Sequence, residues 1–184
     1  MNSKGYRVGV VKRSPSWAGR LRGVALGFGL VGVYVWLSLA AALAAPGLAG
    51  PLTLVQPVAA LVLGRGLYTL GARWARMGAL AMLLLALAKP AAGLLGLGAW
   101  YQLLGDSLLL ATAGLVLHRL SRMEGLHPRA AETLDRMGGV VVLSSFALLL
   151  QIPLVAALAL AVSGAVLLQG YTVLSALAAS GRRR

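Results

Sequence analysis

From residue 137 to residue 180 the chain runs 44 residues without an Asp, Glu, Lys, Arg or His. One helix of that length would reach about 66 Å, roughly twice the ~30 Å hydrocarbon thickness of a bilayer. Two antiparallel membrane spans accommodate it. The one break near its middle is Gln151-Ile152-Pro153, so spans are expected at 138–152 and 154–178.

The rest of the chain repeats the pattern. Residues 1–22 are polar and basic, and 23–45 then carry no charge until Pro46 and Gly47 stop the run. Ala42-Leu43-Ala44 resembles a small-x-small cleavage site, but this run exceeds the roughly 7–15 apolar residues of a signal peptide. A retained first span is therefore expected. Further apolar runs lie at 48–64, 77–98 and 102–118. Charged residues make up 11% of the 184, where a soluble domain carries about 25%. The expected fold class is an all-α integral membrane protein, a bundle of about six transmembrane helices, or five if the last hairpin does not form. It comprises a basic N-terminal segment 1–22, one transmembrane domain 23–180 and a basic tail 181–184.

Charge sets the orientation. The formal net charge is +13, and sixteen of the seventeen basic residues fall in four clusters, at 1–22, 65–76, 119–136 and 182–184. In a soluble protein such an excess points to nucleic acid. Here six spans put all four clusters on one face, so nucleic acid is not expected as a partner and both termini are expected in the cytoplasm. The Ala- and Gly-rich make-up, with Arg in large excess over Lys, suits a bacterial cytoplasmic (inner) membrane. The first expected partner is a bilayer with anionic phospholipid headgroups. On a helical wheel over 65–77, Arg65, Arg73 and Arg76 fall within about 80°, opposite Leu67, Leu70, Trp74 and Met77. That pattern suits a helix lying in the interface, or the first turns of the next span with snorkelling arginines. Trp100 and Tyr101 suit a headgroup boundary.

Few residues offer chemistry. Lys89, followed by Pro90, is the one charge placed within a span, and an intramembrane ionisable group is a functional candidate by default. It can bind an anionic group, or snorkel outwards if the helix breaks at Pro90, and no acid is expected within the spans to pair with it. Asp106 is expected at an interface, capping the helix that starts at Ser107. Gln56 and Gln151 are candidate polar contacts to a ligand or partner. Gly23 with Gly27, and Ala40 with Ala44, have the i,i+4 spacing that lets helices approach closely or dock a second membrane subunit or another copy.

Catalysis is not expected. There is no cysteine, two histidines cannot alone build a metal centre, and His118 and His127 lie in a loop with no acid expected to orient them. Glycosidic and phosphoryl chemistry want acids that the bundle is not expected to supply, and the dense Asp motif of the CDP-alcohol phosphotransferases is missing. No cofactor is expected. The compact outline, the Ala-x-x-x-Ala pairs of the first span and the segment Leu52-Thr53-Leu54-Val55-Gln56 make the chain similar in outline to the substrate-binding subunits of energy-coupling-factor transporters. That likeness touches only a short part of the chain and assigns no residue a role. The expected function is a small transport component or a subunit of a membrane complex acting through helix packing. The alternative is a non-catalytic assembly protein, with a lipid-modifying enzyme third.

Overall fold

The computed structural model describes residues 16–44, 49–123 and 126–180, with side chains described at 19–44, 54–98, 101, 104–123 and 126–180. Most of the basic N-terminal segment, the arginine tail and the side chain of Trp100 lie outside those residues. Six helices account for nearly everything described: α1 (Ser16–Ala44), α2 (Ala49–Leu70), α3 (Arg73–Leu94), α4 (Gly98–Ser121), α5 (Pro128–Leu149) and α6 (Pro153–Ser180). Among the described residues there is no strand.

Local chemistry explains the boundaries. After α3 the chain turns at Gly96, whose φ of 72° is open to glycine at little cost. Leu97 N–H returns to the Ala92 carbonyl at 2.8 Å and Gly96 N–H to Gly93 at 3.3 Å, the paired bonds that satisfy a helix C-terminus. His127 caps α5, its Nδ1 accepting from Arg129 N–H, and Pro128 occupies the first turn. The break expected at Gln151-Ile152-Pro153 is present: Gln151 adopts φ 55° and Pro153 opens α6.

The helices form a closed ring in chain order, each packed on the next, with α6 returning to α1. Short turns reverse the chain each time, so neighbours run antiparallel. The described arginines therefore gather at one end of the ring. α1 and α2 approach most closely through glycine. A Cβ on Gly66 would sit 2.6 Å from the Gly23 backbone, and one on Gly27 would sit 2.5 Å from Leu63 Cα. Gly23 and Gly27 face α2 at these contacts, whereas Ala40 and Ala44 are exposed on the outer side of α1. The core inside the ring is built from Phe28, Leu63, Leu67, Met82, Leu109, Leu117, Leu167 and Leu174, all essentially inaccessible.

Apolar side chains also cover the outside, Leu54, Leu84, Leu143 and Leu154 among them. Residues 19–44 of α1, all of α3 and all of α6 are long and apolar enough to cross a membrane. Such surface is compatible with lipid and not with water. The chain is an all-α membrane protein.

Two expectations about the helix ends are corrected. The helix read over 65–77 is two pieces: α2 continues to Leu70, and Gly71 (φ 76°) and Ala72 separate it from α3. Arg65 belongs to α2, Arg73 and Arg76 to α3. All three are exposed, while Trp74 is half-buried against the core. α4 also starts four residues earlier than the expected 102 and α5 ten residues earlier than 138. The α5 extension contains the Glu132–Arg136 pair on its own surface, bonded at 2.5 Å.

The glycine contact yields a prediction. Gly66→Ala should destabilise the bundle by about 1–3 kcal/mol, because backbone must move to admit the methyl group. Gly139→Ala, with nothing within 4 Å of the added carbon, should be neutral or slightly stabilising. Reversible unfolding in mixed detergent micelles measures both.

Candidate functional site

Four helices deliver polar side chains to one depth. Asp106 lies eight residues into α4, Gln56 seven into α2, Lys89 five from the end of α3 and Tyr34 ten from the end of α1. At 1.5 Å per residue these positions are about 8–15 Å from the end of the ring opposite the arginines. The long Lys89 side chain covers the remaining difference. Asp106 is therefore no helix cap, and the expectation that the bundle contains no acid is overturned. The physical reason is the early start of α4 at Gly98, which carries Asp106 two turns inside.

The carboxylate gathers its neighbours. Tyr34 Oη donates to Asp106 Oδ1 at 2.7 Å, and Gln56 Nε2 donates to the same oxygen at 2.9 Å. These two bonds reach from α1 and α2 across the ring to α4. Ser38 lies one turn beyond Tyr34 on α1. A carboxylate in a low-dielectric bundle needs such donors, since desolvating an ion without compensation is expensive. Gln56 is 2% exposed, and its Oε1 has no hydrogen-bond partner.

Lys89 supplies the opposite charge. Its Nζ lies 5.6 Å from the centroid of the Tyr34 ring, a cation–π distance. It sits half-buried beside the cluster, where it and Asp106 attract each other. They do not touch: among the described residues, ion pairs are confined to His118–Asp135 and Glu132–Arg136.

Tyr101 walls the cluster off on one side. Its hydroxyl donates to the Leu85 carbonyl on α3, at 2.5 Å. The ring lies flat over Gly105, where a Cβ would stand 2.6 Å from Cε1. Beyond this wall an apolar cleft of about 550 Å³ runs between α3 and α4, lined by Ala81, Leu84, Leu85, Ala88 and Leu108 among others. Gln151, the third expected polar contact, takes no part: it is exposed in the α5–α6 turn.

A second polar cluster sits at the arginine end. His118 Nδ1 is 2.6 Å from Asp135 Oδ1, which also accepts from Ser121 Oγ at 3.2 Å. Asp135 thus orients His118, contrary to expectation, because α5 starts early enough to face the last turn of α4. The serine hydroxyl is directed at the His118 backbone carbonyl, at 2.7 Å, and at the acid, not at the imidazole, so the trio is not arranged to activate Ser121 as a nucleophile. Among the described residues no group of three or more His, Cys, Asp or Glu is placed to hold a metal ion.

Sequence reasoning found Lys89 and Gln56 but missed Tyr34 and misplaced Asp106. The available signal was the Tyr34–Ser38 pair, polar residues one turn apart inside an otherwise apolar run. Comparison with known protein families, characterised proteins and solved structures returns no match for this chain.

The wall generates a prediction. Tyr101→Phe should cost about 1 kcal/mol, in the range of an intramembrane hydrogen bond. Gly105→Ala should cost at least as much, because it displaces the same ring. Unfolding in mixed micelles measures both, and Leu104→Ala serves as an exposed control.

Proposed function

We propose that this chain is a small transport component of a bacterial cytoplasmic membrane, spanning the bilayer six times with both termini in the cytoplasm. The observation that carries the reading is the convergence of Asp106, Gln56, Tyr34 and Lys89 from four helices at one depth. Polar groups are expensive inside a membrane and mark sites where a polar species is handled. Three of the six helices are long and apolar enough to cross a bilayer, and the other three, of at least 22 residues or about 33 Å, have the length of a span. Six spans are supported too by the described arginines gathering at one end, facing cytoplasmic anionic headgroups. The reading involves no catalytic step and no cofactor.

A role in assembly is the second reading, in which the chain acts by docking another membrane subunit or another copy of itself. It is favoured by Ala40 and Ala44, small residues exposed along the outer side of α1.

The depth of residue 89 discriminates between them. The chain contains no cysteine, so Lys89→Cys and Gln151→Cys each provide a single label site. In sealed vesicles, residue 89 should react far more slowly than residue 151 with a membrane-impermeant maleimide. It should become reactive once denaturing detergent opens the bundle. Ready labelling of residue 89 in intact vesicles would remove the transport reading and leave assembly.

A further inference from the structure

The cluster leaves two complementary hydrogen-bonding capacities unmet. Gln56 Oε1 is a buried acceptor without a donor. Its orientation is fixed by chemistry: turning the amide over would set Oε1 against Asp106 Oδ1, two acceptors facing, and forfeit the 2.9 Å bond. Lys89 Nζ has three donors, and among the described residues no acceptor holds them. Unmet buried groups of this kind cost stability, and a ligand that satisfies them recovers it. Asp106, Lys89 and Tyr101 all retain accessible surface, whereas Gln56 forms a closed floor.

We infer that the cluster binds a small zwitterion of the amino-acid type, its ammonium donating to Gln56 Oε1 and Asp106 and its carboxylate accepting from Lys89. The inference rests on the transport reading above and gives that site its ligand class. Charge balance narrows the choice. Asp106 and Lys89 together are neutral, so a zwitterion adds no net charge to a low-dielectric bundle. A lone cation or lone anion leaves one uncompensated charge, which is costly. A water molecule satisfies Gln56 Oε1 but offers Lys89 no counter-charge. Tyr34 takes no part in contacting the ligand; its hydroxyl holds the Asp106 carboxylate.

The test is equilibrium dialysis of the full chain in lipid nanodiscs against radiolabelled glycine, L-alanine, β-alanine and γ-aminobutyrate. At least one should bind saturably. Unlabelled trimethylglycine, which keeps both charges but has no N–H donor, should compete at least about tenfold less well, as should ethylamine and acetate. Lys89→Met and Gln56→Leu should each weaken binding by about tenfold or more, while Gln151→Leu leaves it unchanged. The competition series uses the unaltered protein, so it stands even if a variant fails to fold. Absence of binding for all four probes overturns the inference, as does equal competition by trimethylglycine or unchanged affinity in folded Lys89→Met. Slow labelling at position 89 with no zwitterion bound removes the ligand class but keeps the transport reading. Ready labelling at position 89 removes that reading itself.

Discussion

A carboxylate inside an apolar bundle is tolerable only if donors meet it, and Asp106 is met by Tyr34 from α1 and Gln56 from α2 on a single oxygen. Those bonds span the ring, whereas most other contacts join helices adjacent in the chain. They fix where α1, α2 and α4 stand relative to one another at one depth. Apolar packing alone would leave that register open, since in lipid one apolar face is much like another. Lys89 approaches from α3 to complete the charge balance without forming a direct ion pair with Asp106.

The close glycine contacts serve the same end. Gly23, Gly27 and Gly66 draw α1 and α2 together near the arginine end. Toward the other end, the two helices point Tyr34 and Gln56 at the same carboxylate. α3 is held to α4 by the Tyr101 hydroxyl on Leu85 and contains Pro90, which lacks the N–H of a helix hydrogen bond one residue beyond Lys89. The bundle thus has a tightly packed side and a looser side, and the polar cluster lies between them.

Much of this architecture was legible from the chain. Charge-free runs marked the helices, the described arginines gather at one end as their clusters suggested, and Gln151-Ile152-Pro153 marked a real break. Lys89 and Gln56 stood out as polar residues within apolar runs. Asp106 was misread because the site depends on register: a helix starting at Ser107 makes it a cap, and one starting at Gly98 makes it an interior group. The pairing of His118 with Asp135 was hidden for a similar reason. It depends on two helices meeting across a loop, which neither periodicity nor spacing reports. The arginine wheel over 65–77 failed because Gly71 interrupts the helix on which it was drawn.

The central claim is that Asp106 organises the bundle through donors from other helices. A double-mutant cycle of Tyr34→Phe and Asp106→Asn, read by reversible unfolding in mixed micelles, tests it most directly. The account predicts a coupling free energy of about 1–2 kcal/mol between the two positions. Additivity within about 0.3–0.5 kcal/mol would contradict it, because residues sharing no interaction behave that way.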